Sequence, residues 1–254
     1  MSVRLKTEKD IEGLRESGRI LRGLLDELAG RVRKDVSLRD LDRRAREFLR
    51  ERGAKAAFLG YRPEENSDPY PGAICTSLNE EIVHGLPRKR KLQKGDLLSI
   101  DAGVDFRGYI TDSAVTVYVG RRAPREIRKL MDATREALEE GIRMCKPGNR
   151  LGDIGHAVAE VARKRRMRIV RGLTGHGVGF ELHEDPTVYN FGNPGEGMEL
   201  VPGLVLAIEP MLSLGSPNIV ESPDGSFSTG DGSLSAHFEE TVAVTEKGCK
   251  VLTR

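Results

Sequence analysis

"LLSIDAGVDFRGYITDSAVTV", residues Leu97 to Val117, decides the reading of this chain. Two apolar, β-branched runs flank a turn containing Gly108, which is the pattern of a strand hairpin. The first run ends on Asp101 and the second opens on Asp112. A carboxylate at the buried end of each paired strand demands a reason, because an ionised acid is costly to bury without a partner.

The same plan occurs again downstream. "KGDLLSID" (Lys94 to Asp101) and "PGLVLAIE" (Pro202 to Glu209) each place an acid six positions after a turn glycine, with apolar residues between. "DSAVTV" from Asp112 and "EETVAV" from Glu239 each read acid, two residues, Val, one residue, Val. Two matched segments in the same order indicate an internal duplication, with halves of about 1–120 and 121–254 within a single domain, 1–254. A pseudo-twofold packing of such halves brings four carboxylates together. Four acids in a low-dielectric site cannot all stay ionised; their pKa values rise until some take up protons. One or two divalent cations remove the conflict. A lone acid at a strand end is ordinarily a surface cap, but four in two matched copies form a set.

Histidine is scarce, five in the whole chain, and two lie in "TGHGVGFELHEDP", Thr174 to Pro186. Gly175 and Gly177 flank His176 and leave room for close approach of a ligand or ion. The odd offset between His176 and His183 requires a bulge at the glycines if both are to face one site. There is no HExxH and no GxSxG, so neither a helix-borne zinc peptidase nor a nucleophile elbow is present. Four carboxylates and an imidazole suit Mn, Fe(II), Co or Zn and can hold two ions. A two-metal site is a tool for hydrolysis, which leaves phosphoester and peptide substrates both open. Further histidines outside the ligand set would act as proton donors or oxyanion stabilisers.

The rest of the chain bounds the answer. Apolar residues make up 38% and charged residues 31% of 254, enough for a folded domain with a sizeable core. Net charge is only +2, so the basic clusters Arg88 to Lys91 and Arg163 to Arg168 are local features. They read as solvated faces, with docking to nucleic acid as the sharper alternative. Three widely spaced cysteines form no disulfide framework and indicate a reducing compartment. "MSVRLKTEKD" has no apolar core for a signal peptide, and no run is long enough to span a membrane, so a cytoplasmic protein is expected. Thr7-Glu8-Lys9-Asp10 and Ser37-Leu38-Arg39-Asp40 read as capping boxes opening two helices. Two more helices are expected from Pro124 and Leu151. The order is helices, strands, helices, strands: an α+β fold.

"NEEIVHG", "IDAGVDFRGYITDSAVT", "GHGVGFELHEDP", "GLVLAIEPML" and "SAHFEET" closely resemble the type I methionine aminopeptidases. The likeness runs in order over nearly the full chain, from "TEKDIEGLRESGRI" to "VTEKGCKVLT". It implies the pita-bread fold, two related α/β halves around a central antiparallel sheet. It implies five ligands for two divalent metal ions: Asp101, Asp112, His176, Glu209 and Glu239, with Asp112 and Glu239 bridging. Glu239 follows Phe238 as the family motif requires, and strand alternation turns Glu240 away. His84 is the implied partner of the scissile nitrogen and His183 that of the scissile carbonyl, with Glu209 relaying the proton of a water. His237 lies on the same strand face as Glu239, beside the ligands, and His156 is structural. By position, Phe58, Tyr61, Tyr70 and Cys75 are candidates for an apolar pocket that takes the methionine thioether.

The implied substrates are nascent polypeptide N-termini with Met followed by a small residue, handled by a monomer that does not bind membranes, and the cluster Arg163 to Arg168 adds docking at the ribosome as an expectation. The chain departs from relatives in having Phe58 where a cysteine is common, no Trp near Gly225 to Phe227, and a longer loop between Tyr61 and Tyr70. These changes bear on the pocket, not on the metal chemistry. Prolidases and Xaa-Pro aminopeptidases share the ligands but usually carry an added N-terminal domain. Type II methionine aminopeptidases carry a late helical insertion, whereas residues 211–235 read here as turns. A non-catalytic binding relative would have lost ligands that are all present.

Overall fold

Both capping boxes form. In the computed structural model, which describes residues 3–62 and 67–254, α1 (Glu8–Arg31) starts on Thr7 and α2 (Leu38–Glu51) on Ser37. The Thr7 hydroxyl accepts from the Asp10 N–H at 3.2 Å while the Asp10 carboxylate accepts from the Thr7 N–H at 2.9 Å. Two donors that a bare helix end would leave orphaned are thus satisfied. The leucines of α1 and α2 then pack on a sheet made of β1 (Lys55–Ala56), β2 (Cys75–Leu78), β4 (Leu97–Phe106) and β5 (Tyr109–Tyr118). A short β3 (Glu81–Val83) precedes β4.

The hairpin read from the sequence is the centre of this sheet. It pairs in register from Leu97 opposite Tyr118 to Phe106 opposite Tyr109. Its turn is Arg107-Gly108, both at positive φ, the two-residue geometry that matches strand twist. Leu98, Ile100, Ala102 and Val104 enter the core under α1 and α2. Period-two alternation therefore sends Ser99, Asp101 and Gly103 to the opposite face. Asp112, opposite Gly103, points the same way.

The second half repeats the arrangement with α3 (Arg125–Met144) and α4 (Leu151–Arg165). Its five-stranded antiparallel sheet joins β7 (Gly175–Gly177), β8 (Glu184–Val188), β9 (Val205–Ile208), β14 (Glu240–Thr245) and β15 (Gly248–Val251), in the order β15-β14-β9-β7-β8. Leu206, Ile208, Val242 and Val244 pack under α3 and α4. The alternate positions, including Ala207, Glu209, Glu239 and Thr241, face away from those helices.

The two sheets meet along one seam. Ala114 and Glu239 exchange backbone hydrogen bonds of 3.4 and 3.0 Å. On one side the Thr241 hydroxyl accepts from the Asp112 N–H and donates to the Asp112 carbonyl, at 2.9 and 2.8 Å. On the other side Thr116 does the same for the backbone of His237, at 2.9 and 2.7 Å. Threonine hydroxyls here take the place of missing ladder partners.

Residues 211–235 hold more than the turns expected. β10 (Met211–Ser213), β11 (Ile219–Glu221) and β12 (Phe227–Thr229) lie within it, and β13 (Ser235–His237) follows. β10 pairs with β13 and with β6 (Arg168–Ile169), while β12 pairs with β11 and reaches β3. Strands of three residues are too short to show an alternating pattern. The long loop expected between Tyr61 and Tyr70 falls partly outside the described residues.

Close approach of α1 to the C-terminal segment depends on Gly18, where a Cβ would lie 2.0 Å from the Leu252 carbonyl oxygen. Gly18→Ala is expected to cost about 1–3 kcal/mol of stability in urea unfolding, by overpacking. Gly30, in the same helix with nothing within 4 Å of its would-be Cβ, is the control. Gly30→Ala should stabilise by up to about 1 kcal/mol through helix propensity. Equal shifts for the two variants would show that the contact at Gly18 imposes no constraint.

Candidate metal centre and active site

The faces turned away from the helices converge on each other. His176 Nε2 lies 3.5 Å from Glu209 Oε1 and 4.0 Å from Asp112 Oδ2. His237 Nε2 lies 3.4 Å from Glu209 Oε2 and 3.9 Å from Glu239 Oε2. Asp112, His176 and Glu239 offer ligand atoms all within 4.8 Å of one another, and so do Glu209, His237 and Glu239. Asp101, on β4 across from Ala114 of β5, is close enough for the charges of Asp112 and Glu209 to act on its carboxyl. All five expected ligands thus stand in one cluster, and His237 adds an imidazole at closer range than its place beside the ligands suggested.

The cluster lacks positive charge. All four acids are buried, and among the described residues only His176 and His237 come within ion-pair reach of Asp112, Glu209 and Glu239. Burial raises the Asp101 carboxyl well above its ordinary pKa, with Asp112 and Glu209 adding repulsion. Burial also lifts Asp112 to about 7 and pushes Glu209 and Glu239 well up. The imidazoles move the other way: burial takes His176 down to about 4 and His237 to about 3. Asp101 Oδ1, Asp112 Oδ1, Glu239 Oε1 and both ring nitrogens of His237 are buried without a hydrogen-bond partner. Such orphans are rare unless an ion or water belongs there. Hard oxygens plus imidazole are the donor set of a divalent transition-metal ion.

His176 is already set for that role. Its Nδ1 stands 2.9 Å from the Gly177 carbonyl oxygen, which can only accept. Nδ1 therefore carries the proton and Nε2 presents its lone pair to the cluster. The flanking glycines have a different purpose from the one expected. A Cβ at Gly175 would lie 2.3 Å from the Ala207 carbonyl oxygen, and one at Gly177 2.3 Å from that of Asp185. They admit neighbouring strands, not a ligand. The expected irregularity is present as a register shift between β7 and β8 at these glycines, and His183 sits just before β8.

Glu240 faces the helix side. Its carboxylate takes hydrogen bonds from the Thr253 hydroxyl and, at 2.9 Å, from Arg254 Nε. His84 follows β3 at φ +60°. Its ring lies 5.6 Å from the Phe227 ring, edge to face. Desolvation lowers its pKa. The His183 ring centroid is 4.4 Å from that of His176, and burial, then His176, then His84 bring its pKa down to about 3.

The expected pocket residues form one apolar group. Phe58 and Cys75 are buried together with Leu182, and Tyr61 and Tyr70 pack against them. Cys75 stands opposite Asp101 in the β2–β4 register, so this apolar group adjoins the acids. Gly103 makes room for Phe58, since a Cβ there would lie 2.8 Å from its ring. Leu182 was not anticipated; its one signal is its place beside His183. Nor was the ion pair between Lys6 and Glu184, whose side chains are 2% and 4% exposed. Glu184 also accepts from the N–H groups of Phe180 and Glu181, at 2.7 and 2.9 Å. The loop that carries His183 is thereby pinned to the N-terminal segment. A lone lysine in a charged stretch gives no sign of such burial.

The acid cluster makes stability depend on pH with a definite sign. Unfolded carboxylates titrate near 4 and unfolded histidine near 6.5. The unfolded histidines release the last of their protons by about pH 7.5, and only above that do the buried, already neutral imidazoles contribute nothing. The raised carboxyls still hold protons that the unfolded chain has released, an advantage lost as pH rises through about 7 at Asp112. Above about pH 7.5 the Tm of chelator-treated protein is expected to fall, because Asp101, Glu209 and Glu239 are held well above the usual carboxylate range. Excess Mn²⁺ or Zn²⁺ should abolish that fall, because cation binding to the folded state strengthens as protons leave. A flat or rising Tm without metal would show that the acids ionise unaided.

Known proteins account for this arrangement. Residues 12–246 match metallopeptidase family M24. The methionine aminopeptidase of Aquifex aeolicus is 44% identical, covering 100% of this chain and 99% of its own length. The crystal structure of methionine aminopeptidase from Thermotoga maritima superposes with a TM-score of 0.94 at 40% identity, covering 100% of both chains. Prolidase from Pyrococcus furiosus, 21% identical with a TM-score of 0.77 over 98% of this chain and 65% of its own, shares the fold. The expected pita-bread fold is the one observed. With its full length matched and its acids and histidines in one cluster, the chain belongs to metallopeptidase family M24, among the methionine aminopeptidases.

Proposed function

We propose that Asp101, Asp112, His176, Glu209 and Glu239 hold two divalent cations, and that His84 and His183 manage the substrate on either side of the scissile bond. The reaction is metal-dependent hydrolysis of the peptide bond after an N-terminal methionine. The observation that carries the assignment is the set of four buried acids with no lysine or arginine among the described residues in ion-pair reach of Asp112, Glu209 or Glu239. Two overlapping donor groups that share Glu239 support two ions. The matched strands and their meeting at Ala114 and Glu239 support halves related by duplication.

When bound, the cations would neutralise the cluster and lower the pKa of a water toward neutrality. Glu209 takes up the proton that this water releases. His183 faces the scissile carbonyl and stabilises charge on its oxygen. His84 hydrogen-bonds the scissile nitrogen and assists departure of the shortened chain. His237 orients Glu209 and Glu239 from beside them. Phe58, Tyr61, Tyr70, Cys75 and Leu182 wall the pocket for the thioether. The acids at its end favour the free α-amine, which restricts cleavage to the first residue.

The substrates are nascent chains with a small second residue, met in the cytoplasm by a monomeric enzyme. No described helix is long and apolar enough to cross a membrane. Arg163 and Arg165 are engaged by Glu160 and Glu136, so docking to ribosomal polyanions would rest on Lys164, Arg166 and Arg168. Reversing those three charges is expected to weaken co-sedimentation with ribosomes at low salt.

Mass spectrometry of Met-Ala-Ser and Ala-Pro-Ser, after incubation with chelator-stripped protein with and without Mn²⁺, Fe²⁺ or Co²⁺, tests the reading. Metal-dependent loss of Met alone is expected. Cleavage of Ala-Pro alone would move the chain to the Xaa-Pro branch, and no cleavage would favour a binding protein. Asp101→Asn and Glu239→Gln should each abolish turnover and lower metal content, while Glu240→Gln keeps both. Loss at Glu240 with none at Glu239 would reverse the assignment. His84→Ala should lower kcat by about 10²-fold or more with metal retained.

A further inference from the structure

Two neighbouring imidazoles in this site meet different partners at Nδ1. That of His176 faces a carbonyl oxygen, which fixes its proton on Nδ1. That of His183 faces the Tyr61 hydroxyl at 2.6 Å, with the two rings edge to face at 5.1 Å. A phenol can donate, so the second pair is not bound to copy the first.

We propose that Tyr61 is a positioning residue that donates its hydroxyl hydrogen to His183 Nδ1, fixing the tautomer whose Nε2–H faces the substrate carbonyl. The inference rests on the reading above that His183 meets that carbonyl. An imidazole that stabilises developing negative charge must offer an N–H, and with Nδ1 engaged only Nε2 can do so. Had Tyr61 accepted from Nδ1, Nε2 would present a lone pair to the oxygen and repel it. The adjacent rings are thus held in opposite tautomers: His176 offers a lone pair, His183 a hydrogen.

The surroundings hold the backbone that carries the phenol. The loop carrying Tyr61 is closed at its base by backbone hydrogen bonds, Gly60 N–H to the Tyr70 carbonyl at 2.8 Å and Tyr70 N–H to the Tyr61 carbonyl at 2.9 Å. The Tyr61 N–H also donates to the Phe58 carbonyl at 3.0 Å. On the other side, the buried pairing of Lys6 with Glu184 anchors the residue that follows His183. Burial and the charge of Glu181 raise the Tyr61 pKa, so its hydroxyl hydrogen is retained at neutral pH. Tyr61 thereby has a second role beyond lining the pocket.

The test combines ¹⁵N spectra of the histidine rings in the zinc-loaded full chain with kinetics on Met-Ala-Ser, His183 being assigned through His183→Gln. The wild type should show a bare Nδ1 and a protonated Nε2 at His183. Tyr61→Phe should give mixed tautomers and a kcat about 10-fold lower, with KM and zinc content little changed. In the His183→Gln background the same substitution should cost nothing more. A wild-type His183 protonated at Nδ1 would overturn the proposal, as would a Tyr61→Phe variant that raises KM alone. If His183→Gln leaves kcat untouched, its assignment to the carbonyl fails, while the spectra still decide the Tyr61 contact.

Discussion

Asp101, Asp112, Glu209 and Glu239 repel one another in an interior that screens them poorly, and the rest of the molecule is arranged around that conflict. Two hydrophobic cores, one under α1 and α2 and one under α3 and α4, lie on the outer faces of the sheets. They supply the burial that lets an electrostatically unfavourable centre persist. Such a division is expected where function demands a destabilised site and stability comes from elsewhere. The seam at Ala114 and Glu239 adds the geometric half of the solution. Backbone bonds and two threonine hydroxyls set the separation of acids from different halves, which their own side chains could not do.

Histidine enters this centre as a neutral, oriented group. Desolvation removes the charge of His176, His183 and His237, so each acts through the direction of a lone pair or an N–H. That direction is set by what each ring meets: the Gly177 carbonyl, the Tyr61 hydroxyl, or the carboxylates beside His237. The carbonyl is a fixed part of the backbone. The hydroxyl is a side chain and belongs to the loop that also shapes the pocket. On the proposed roles of Tyr61 and His183, substrate fit and carbonyl polarisation would be coupled through one residue.

What could be read beforehand follows the range of the interactions. The hairpin, the four helices and the acids were legible because they rest on period-two and period-3.6 patterns and on a repeat, all local in sequence. Glu239 and Glu240 were separable by strand alternation alone, and Glu240 does face Arg254 and the helix side. His237 was placed on the right face, but alternation gives no distance, and its contact with Glu209 depends on how β14 lies beside β9. The glycines around His176 were noticed for a reason other than the one they serve, because the carbonyls of Ala207 and Asp185 are far off in sequence. Leu182 and the burial of Lys6 had no local signature. The three-residue strands between Met211 and Ser235 were too short to read.

The contact of Lys6 with Glu184 and the seam at Glu239 also bear on when the protein becomes active during its own synthesis. Lys6 finds its partner only after Glu184 has been added, and the acid cluster lacks a member until Glu239 has been added. Glu240 is held by Thr253 and Arg254, later still. A product that stops before Glu239 lacks one of the four acids that meet at the seam.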